Sequence, residues 1–276
     1  MKPQHLKIGN ADCWVYNFKS DKPTLIMIHG LRGTHHGLDL AAKELDKFKV
    51  IVPDLPGFGK SKPLDNRHSV SNYVEWLKEF FDDLDLKEKP TLLGHSFGSI
   101  ITSHFAKKYP DMISNLVLVN PIGAPALEGK GALSGITKLY YWLGRILPET
   151  LGRKLLSSKL IVMIMSVSMA KTKDKKTRKF IHKQHLTHFS SFQTKRVIDE
   201  AFLASINNDV REVASGIKVP TLIIAGDIDD VTPIHKQHEL TNIFPNAKIK
   251  VITGVGHLTH YEKPDVIVEE INSFLT

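Results

Sequence analysis

Thr91-Leu92-Leu93-Gly94-His95-Ser96-Phe97-Gly98 decides the fold: a short apolar run ends in a serine set between two glycines. In the pattern G-x-S-x-G the serine sits at the tip of a tight strand-to-helix turn, in a strained backbone conformation that lifts its hydroxyl out of the sheet. Gly94 and Gly98 stand two residues to either side, where a Cβ would collide with the chain as it doubles back. The stretch from Ser99 to Ala106 supplies the helix, whose free N–H groups and partial positive charge point where an oxyanion must develop. This strand and helix context separates Ser96 from an ordinary loop serine.

Working outward, Thr24 to Ile28 is a buried strand leading into His29-Gly30-Leu31-Arg32-Gly33. Acyl transfer needs two backbone N–H donors aimed at the oxyanion, one after the nucleophile and one from a loop after an earlier strand. Phe97 and Leu31 are the expected donors. His29 is read as a structural histidine bonded to backbone, and His35 and His36 as loop histidines without a role. Cys13 to Phe18 and Lys49 to Pro53 are further strands, Leu38 to Asp46 and Tyr73 to Asp83 helices, the latter capped by Ser69 or Ser71. Asn115 to Asn120 is one more strand. Strands alternating with helices argue for an α/β fold, a parallel sheet with helices on both faces.

The pattern changes at Pro121. From 121 to 196 the chain turns glycine-rich and then helical, with apolar stretches at Ile136 to Ile146 and Leu155 to Met169. Fifteen lysines and arginines stand there against three acidic residues, a net +12, whereas the whole chain carries +8. The basicity belongs to this insert. Leu155, Leu156, Leu160, Ile161, Ile164 and Met165 combine with the lysines as a lid over an acyl pocket, with a weak anionic membrane contact as one use of the charge and simple solubilisation as the other. No aromatic-interleaved basic motif or helix-turn-helix accompanies it, so nucleic acid is not an expected partner. His182, His185 and His188 lack an accompanying carboxylate or cysteine and read as solvent-exposed residues, not metal ligands.

Alternation resumes with Val219 to Gly226, a strand ending in Asp227-Ile228-Asp229-Asp230-Val231-Thr232-Pro233. A helix from Ile234, a strand from Ile249 to Ile252, the loop Gly254-Val255-Gly256-His257 and a helix from Pro264 to Leu275 follow. Both loops lie at strand ends, where ligands bind in open α/β sheets. The order along the chain is serine, acid, histidine.

With 276 residues and 42% hydrophobic content the chain can bury a large core. Cys13 is the single cysteine, so no internal disulfide can form. The first ten residues lack a signal-peptide core, and the apolar run from Leu160 to Ala170 falls short of the roughly 20 residues of a membrane span, so a cytoplasmic location is expected.

These residues resemble the α/β-hydrolase superfamily: His29-Gly30 after a strand, the loop from Pro53 to Gly59, the elbow from Gly94 to Gly98, Gly226-x-x-Asp229-x-x-x-Pro233, and Gly256-His257. The resemblance implies a mostly parallel eight-stranded sheet with a variable cap inserted after the sixth strand. Residues 1–120 and 201–276 would then form the core and 121–200 the helical cap. It implies a triad of Ser96, Asp229 and His257, Asp227 and Asp230 being the rival acids. Many relatives carry Gly-Gly where this chain has Gly98-Ser99. A serine at the elbow excludes the aspartate-dependent dehalogenases and epoxide hydrolases. The implied function is a cofactor-independent serine hydrolase cleaving a short- to medium-chain acyl ester or a monoacyl lipid through an acyl-enzyme. Carbon–carbon bond hydrolysis is the alternative within the fold, and a non-catalytic ligand-binding protein the alternative of another class.

Overall fold

The computed structural model describes residues 3–17, 21–125 and 131–275. Strands β1 (Gln4–Ile8) and β2 (Ala11–Tyr16) form an antiparallel pair with Gln4 opposite Val15 and Ile8 opposite Ala11. Next come β3 (Thr24–Ile28), α1 (Asp39–Glu44), β4 (Lys49–Pro53), α2 (Val70–Leu84), β5 (Thr91–His95), α3 (Phe97–Lys108) and β6 (Asn115–Val119). Five helices then intervene, α4 (Gly131–Ile146), α5 (Glu149–Leu156), α6 (Lys159–Met169), α7 (Lys175–His188) and α8 (Lys195–Asn207). The chain returns through α9 (Arg211–Ala214), β7 (Thr221–Gly226), α10 (Ile234–Thr241), β8 (Ala247–Ile252), α11 (Thr259–Glu262) and α12 (Pro264–Leu275).

The described residues form one eight-stranded sheet in the order β1-β2-β4-β3-β5-β6-β7-β8. From β4 to β8 every pairing is parallel, while β2 meets both β1 and β4 antiparallel. Successive side chains of a strand face opposite ways, and both faces are covered. Ile26, Ile28 and Leu92 pack toward Phe81 of α2, Phe105 of α3 and Phe202 of α8, whereas Leu25, Met27 and Leu93 pack toward Ala41 of α1 and Ile271 of α12. Burial on both faces explains why these strands read as continuous apolar runs instead of alternating ones. Cys13 lies buried in β2, and burial first, then Asp54 and Asp12, push its thiol pKa far upward.

Three expectations change in detail. β1 escaped sequence reading because it is an edge strand whose residues are exposed or half-buried, with no apolar periodicity to betray it. β2 ends at Tyr16, and Phe18 lies outside the described residues. The stretch from Leu155 to Met169 is two helices, since the chain breaks at Ser157-Ser158, and α8 runs from Lys195 to Asn207. The apolar residues expected to line a lid divide accordingly: Leu156 is fully buried, while Leu160 and Ile164 of α6 are 71% and 60% exposed and face outward. Val162 and Ser166 are the residues α6 buries instead.

Candidate active site

Because β3, β5, β7 and β8 run parallel, the loops that follow them gather at one edge of the sheet. β5 ends in Ser96, whose φ of 53° and ψ of −119° place a non-glycine residue in a sparsely populated region at a cost of order 1–3 kcal/mol. The turn is held on every side. Ser96 N–H donates to the Val119 carbonyl at 3.1 Å, and Ser99 Oγ donates to the Ser96 carbonyl at 2.5 Å while accepting from the Ile122 N–H at 3.1 Å. Ser99 therefore braces the elbow with its hydroxyl, a job a glycine at that position could not do. The flanking glycines are required by contact: a Cβ on Gly98 would lie 2.4 Å from the Ile28 carbonyl oxygen, and one on Gly94 2.3 Å from Thr102 Oγ1.

Ser96, Asp229 and His257 converge. His257 Nε2 is 2.8 Å from Ser96 Oγ, and His257 Nδ1 is 2.8 Å from Asp229 Oδ2. A carboxylate on Nδ1 fixes the proton there and leaves the Nε2 lone pair facing the serine hydroxyl. Burial by itself would raise the Asp229 pKa, but His257 beside it and hydrogen bonds from His257 and Thr232 outweigh that, and the carboxyl is held well below the usual range. These contacts thus favour the Asp229 anion. Its oxygens also accept from the Val231 N–H at 2.7 Å, the Thr232 N–H at 3.0 Å and Thr232 Oγ1 at 2.5 Å.

The rival acids do other work. Asp227 accepts from the Gly254 N–H at 2.7 Å, tying the acid loop to the histidine loop, and Asp230 pairs with Lys171 at the surface.

Asn120, Thr259, His95 and His260 complete the neighbourhood, and no sequence pattern announced them. Asn120 sits just past β6 with φ 45°, and its Nδ2 donates to Asp229 Oδ2 and to the Gly256 carbonyl, each at 2.9 Å. Thr259 Oγ1 in turn donates to Asn120 Oδ1 at 2.8 Å. His95 and His260 meet edge to face, their ring centroids 4.1 Å apart, behind His257. Burial first, then the neighbouring His257, lowers His95 to about 3, and burial and the same cluster hold His260 far below its usual value. Both stay neutral, so no second cation competes with His257.

The loop after β3 lies against the elbow, since a Cβ on Gly30 would be 3.1 Å from Ser96 Cβ and from His95 Nδ1. The loop that carries Leu31 therefore packs on the elbow, and Phe97, as the first residue of α3, has an N–H with no intrahelical acceptor. His29 holds the loop: its Nδ1 donates to the Gly30 carbonyl at 2.9 Å and its Nε2 accepts from the Leu55 N–H at 2.9 Å.

The remaining histidines are less idle than the sequence suggested. His35 is buried, bonded through Nδ1 to Asp54 at 3.0 Å and stacked 3.3 Å from Trp14, while the tilted ring of His36 lies 3.7 Å from that of His188 of α7. None of the three insert histidines is solvent-exposed as expected: His185 is buried and His182 and His188 half-buried, and His182 and His185 both meet Ser166 Oγ, at 2.7 and 2.8 Å, fastening α7 to α6. Among the described residues no three metal-binding side chains stand close enough to hold an ion.

A family profile described as the alpha/beta hydrolase fold matches residues 23–264. The chain belongs to that family. Among its relatives, this hydrolase is 26% identical over 279 residues to Lipase 1 of Psychrobacter immobilis, spanning 98% of the chain and 82% of that lipase. It is 27% identical over 288 residues to a cis-3-alkyl-4-alkyloxetan-2-one decarboxylase of Shewanella oneidensis, covering 99% of the chain and 88% of the enzyme. A thermophilic esterase from Thermogutta terrifontis superposes with a TM-score of 0.76 at 21% identity, covering 100% of this chain and 97% of the esterase.

Proposed function

We propose that the protein is a serine hydrolase that cleaves carboxylic esters by two-step acyl transfer. The observation that carries this reading is the unbroken hydrogen-bond chain from Ser96 Oγ through His257 to Asp229, two links of 2.8 Å each. His257 takes the Ser96 proton as Oγ attacks the ester carbonyl, then gives it to the departing alcohol. Water repeats the sequence on the acyl-enzyme. The N–H groups of Leu31 and Phe97 receive the negative charge on the carbonyl oxygen in both tetrahedral intermediates. Similarity to a lipase and to an esterase supports an ester as the bond cleaved.

The substrate class follows from the insert. Leu160, Ile164 and Val167 of α6 and Ile136, Leu139, Trp142 and Ile146 of α4 are exposed large apolar residues, set among the basic residues Lys138, Arg145, Arg153, Lys154 and Lys159. Helix α6 carries no charge between Lys159 and Lys171. Such a surface suits an acyl ester or monoacyl lipid met at an anionic interface, where each nearby cation contributes about 1 kcal/mol. Among the described residues no helix is long and apolar enough to cross a membrane.

The test is a p-nitrophenyl ester series from acetyl to palmitoyl, with fluorophosphonate labelling, on the parent and on Ser96→Ala. Hydrolysis and labelling that survive in Ser96→Ala would overturn the assignment.

A further inference from the structure

Arg32 is a costly residue where it stands. It occupies a turn closed by the Gly33 N–H donating to the Gly30 carbonyl at 3.0 Å, with φ +63°, the left-handed region that L side chains adopt only under strain. Its side chain is 1% exposed. Nothing acidic among the described residues pairs with it; the groups acting on its charge are Tyr140 and Tyr141. A full charge buried without a counter-ion costs several kcal/mol more.

The compensation comes from the helical insert. Arg32 Nη2 donates to the Leu156 carbonyl at 2.6 Å and to Ser190 Oγ at 3.3 Å, Nε to the Phe189 carbonyl at 3.2 Å, and Nη1 to Tyr141 OH at 3.4 Å. Leu156 is the last residue of α5, and Phe189 is the C-cap of α7. Carbonyls at such ends lack intrahelical donors and carry the negative pole of the helix dipole. Two helix C-termini thus serve as the counter-charge, with the Phe189 and Phe192 rings 5.5 and 5.6 Å from the guanidinium carbon. Arg32 is also the neighbour of Leu31, in the loop that touches Ser96.

From this we infer that Arg32 is a positioning residue that makes the oxyanion hole conditional on a docked insert. The inference rests on the acyl-transfer reading above. With α5 and α7 in place, four of the five guanidinium N–H groups are bonded, this anchorage offsets the left-handed backbone, and the loop carrying Leu31 is held against the elbow. When the insert lifts, Arg32 turns to water, the turn relaxes, and Leu31 loses its aim.

The experiment compares matched oxygen-ester and thionoester substrates on the full-length chain, because sulfur accepts hydrogen bonds poorly and gains less from the hole. For Arg32→Met and Arg32→Lys we expect kcat on the oxygen ester to fall about 100-fold, the scale of losing one oxyanion donor. KM should change by less than about threefold, and the oxygen-to-sulfur rate ratio should fall with kcat. The double variant Tyr141→Phe, Ser190→Ala keeps the charge and should lower the same ratio by a smaller factor; it carries the test should Arg32→Met fail to fold. A parent-like ratio in folded variants, or a loss confined to KM or to melting temperature, overturns the proposal. If Ser96→Ala hydrolyses at the parent rate, the acyl-transfer reading falls first; if it is inactive while the Arg32 variants keep the parent ratio, only the role of Arg32 falls.

Discussion

Asn120 and His257 share one acceptor: the Nδ2 of the first and the Nδ1 of the second both donate to Asp229 Oδ2, at 2.9 and 2.8 Å. The same amide bonds the Gly256 carbonyl, so Asn120 fixes both the acid and the residue before the histidine. A hydrogen bond to a charged group contributes about 1.5–3 kcal/mol. Asn120→Ala should therefore lower kcat about tenfold or more with KM little changed. Asn120→Asp should be worse, since two adjacent carboxylates hold a proton that weakens the grip on His257. Steady-state kinetics on a butyrate ester reads both, and parent-like rates in Asn120→Asp would count against this role.

Asp229→Asn should cost about 10⁴ in kcat, because an amide can leave the imidazole in the wrong tautomer. Asp227→Asn keeps an oxygen acceptor for the Gly254 N–H and should stay within about threefold of the parent, a loop contact lying outside the proton path. The reverse ranking would move the acid to Asp227.

Acid should loosen the insert. Burial, then His182, lowers His185 to about 4, and burial, then His35 and His188, lowers His36 to about 4, with Asp54 and Asp39 acting weakly the other way. In the unfolded chain both titrate near 6.5. As pH falls from about 6.5 the unfolded state takes up protons that the folded state refuses, so stability drops until about pH 4, where the folded state accepts them too. Melting temperatures recorded from pH 8 to 4 should decline across that window, and His185→Gln, which can still bond Ser166, should flatten the decline. An unchanged slope in that variant would discount His185.

Leu160→Ser combined with Ile164→Ser should leave melting within a few degrees of the parent, both side chains being exposed. The same pair should cut sedimentation with anionic vesicles at low salt. Because surface charge is screened within about 8 Å at physiological ionic strength, binding by the parent should weaken as salt rises. Equal binding to neutral and anionic vesicles would remove the anionic interface from the reading.

Much of this was legible in the sequence because the strands are buried on both faces and end in glycine-rich loops, a local signature. Ser96 was visible from Gly94 and Gly98, and Asp229 was distinguished from Asp227 and Asp230 by Gly226 and Pro233 through the resemblance to relatives. Asn120 and Thr259 were not visible, as the contacts of Asn120 with Asp229 and with Thr259 join residues more than 100 positions apart. Nor was the direction faced by α6. From Leu160 to Ala170 there is no charged residue to orient the helix, so Leu160 looked equivalent to Leu156 of α5 although one is exposed and the other sealed.

The chain's one thiol, Cys13, is locked inside β2 with its ionisation suppressed by burial and two aspartates. Alkylating reagents attack thiolates, so the native surface is effectively blank to maleimide chemistry. A fluorophore or spin label attached through Ile164→Cys would occupy a single known position on the outward side of α6. Its emission colour or its collision rate with oxygen would then report, in real time and without any background-cysteine deletion, whether that helix leaves water for hydrocarbon.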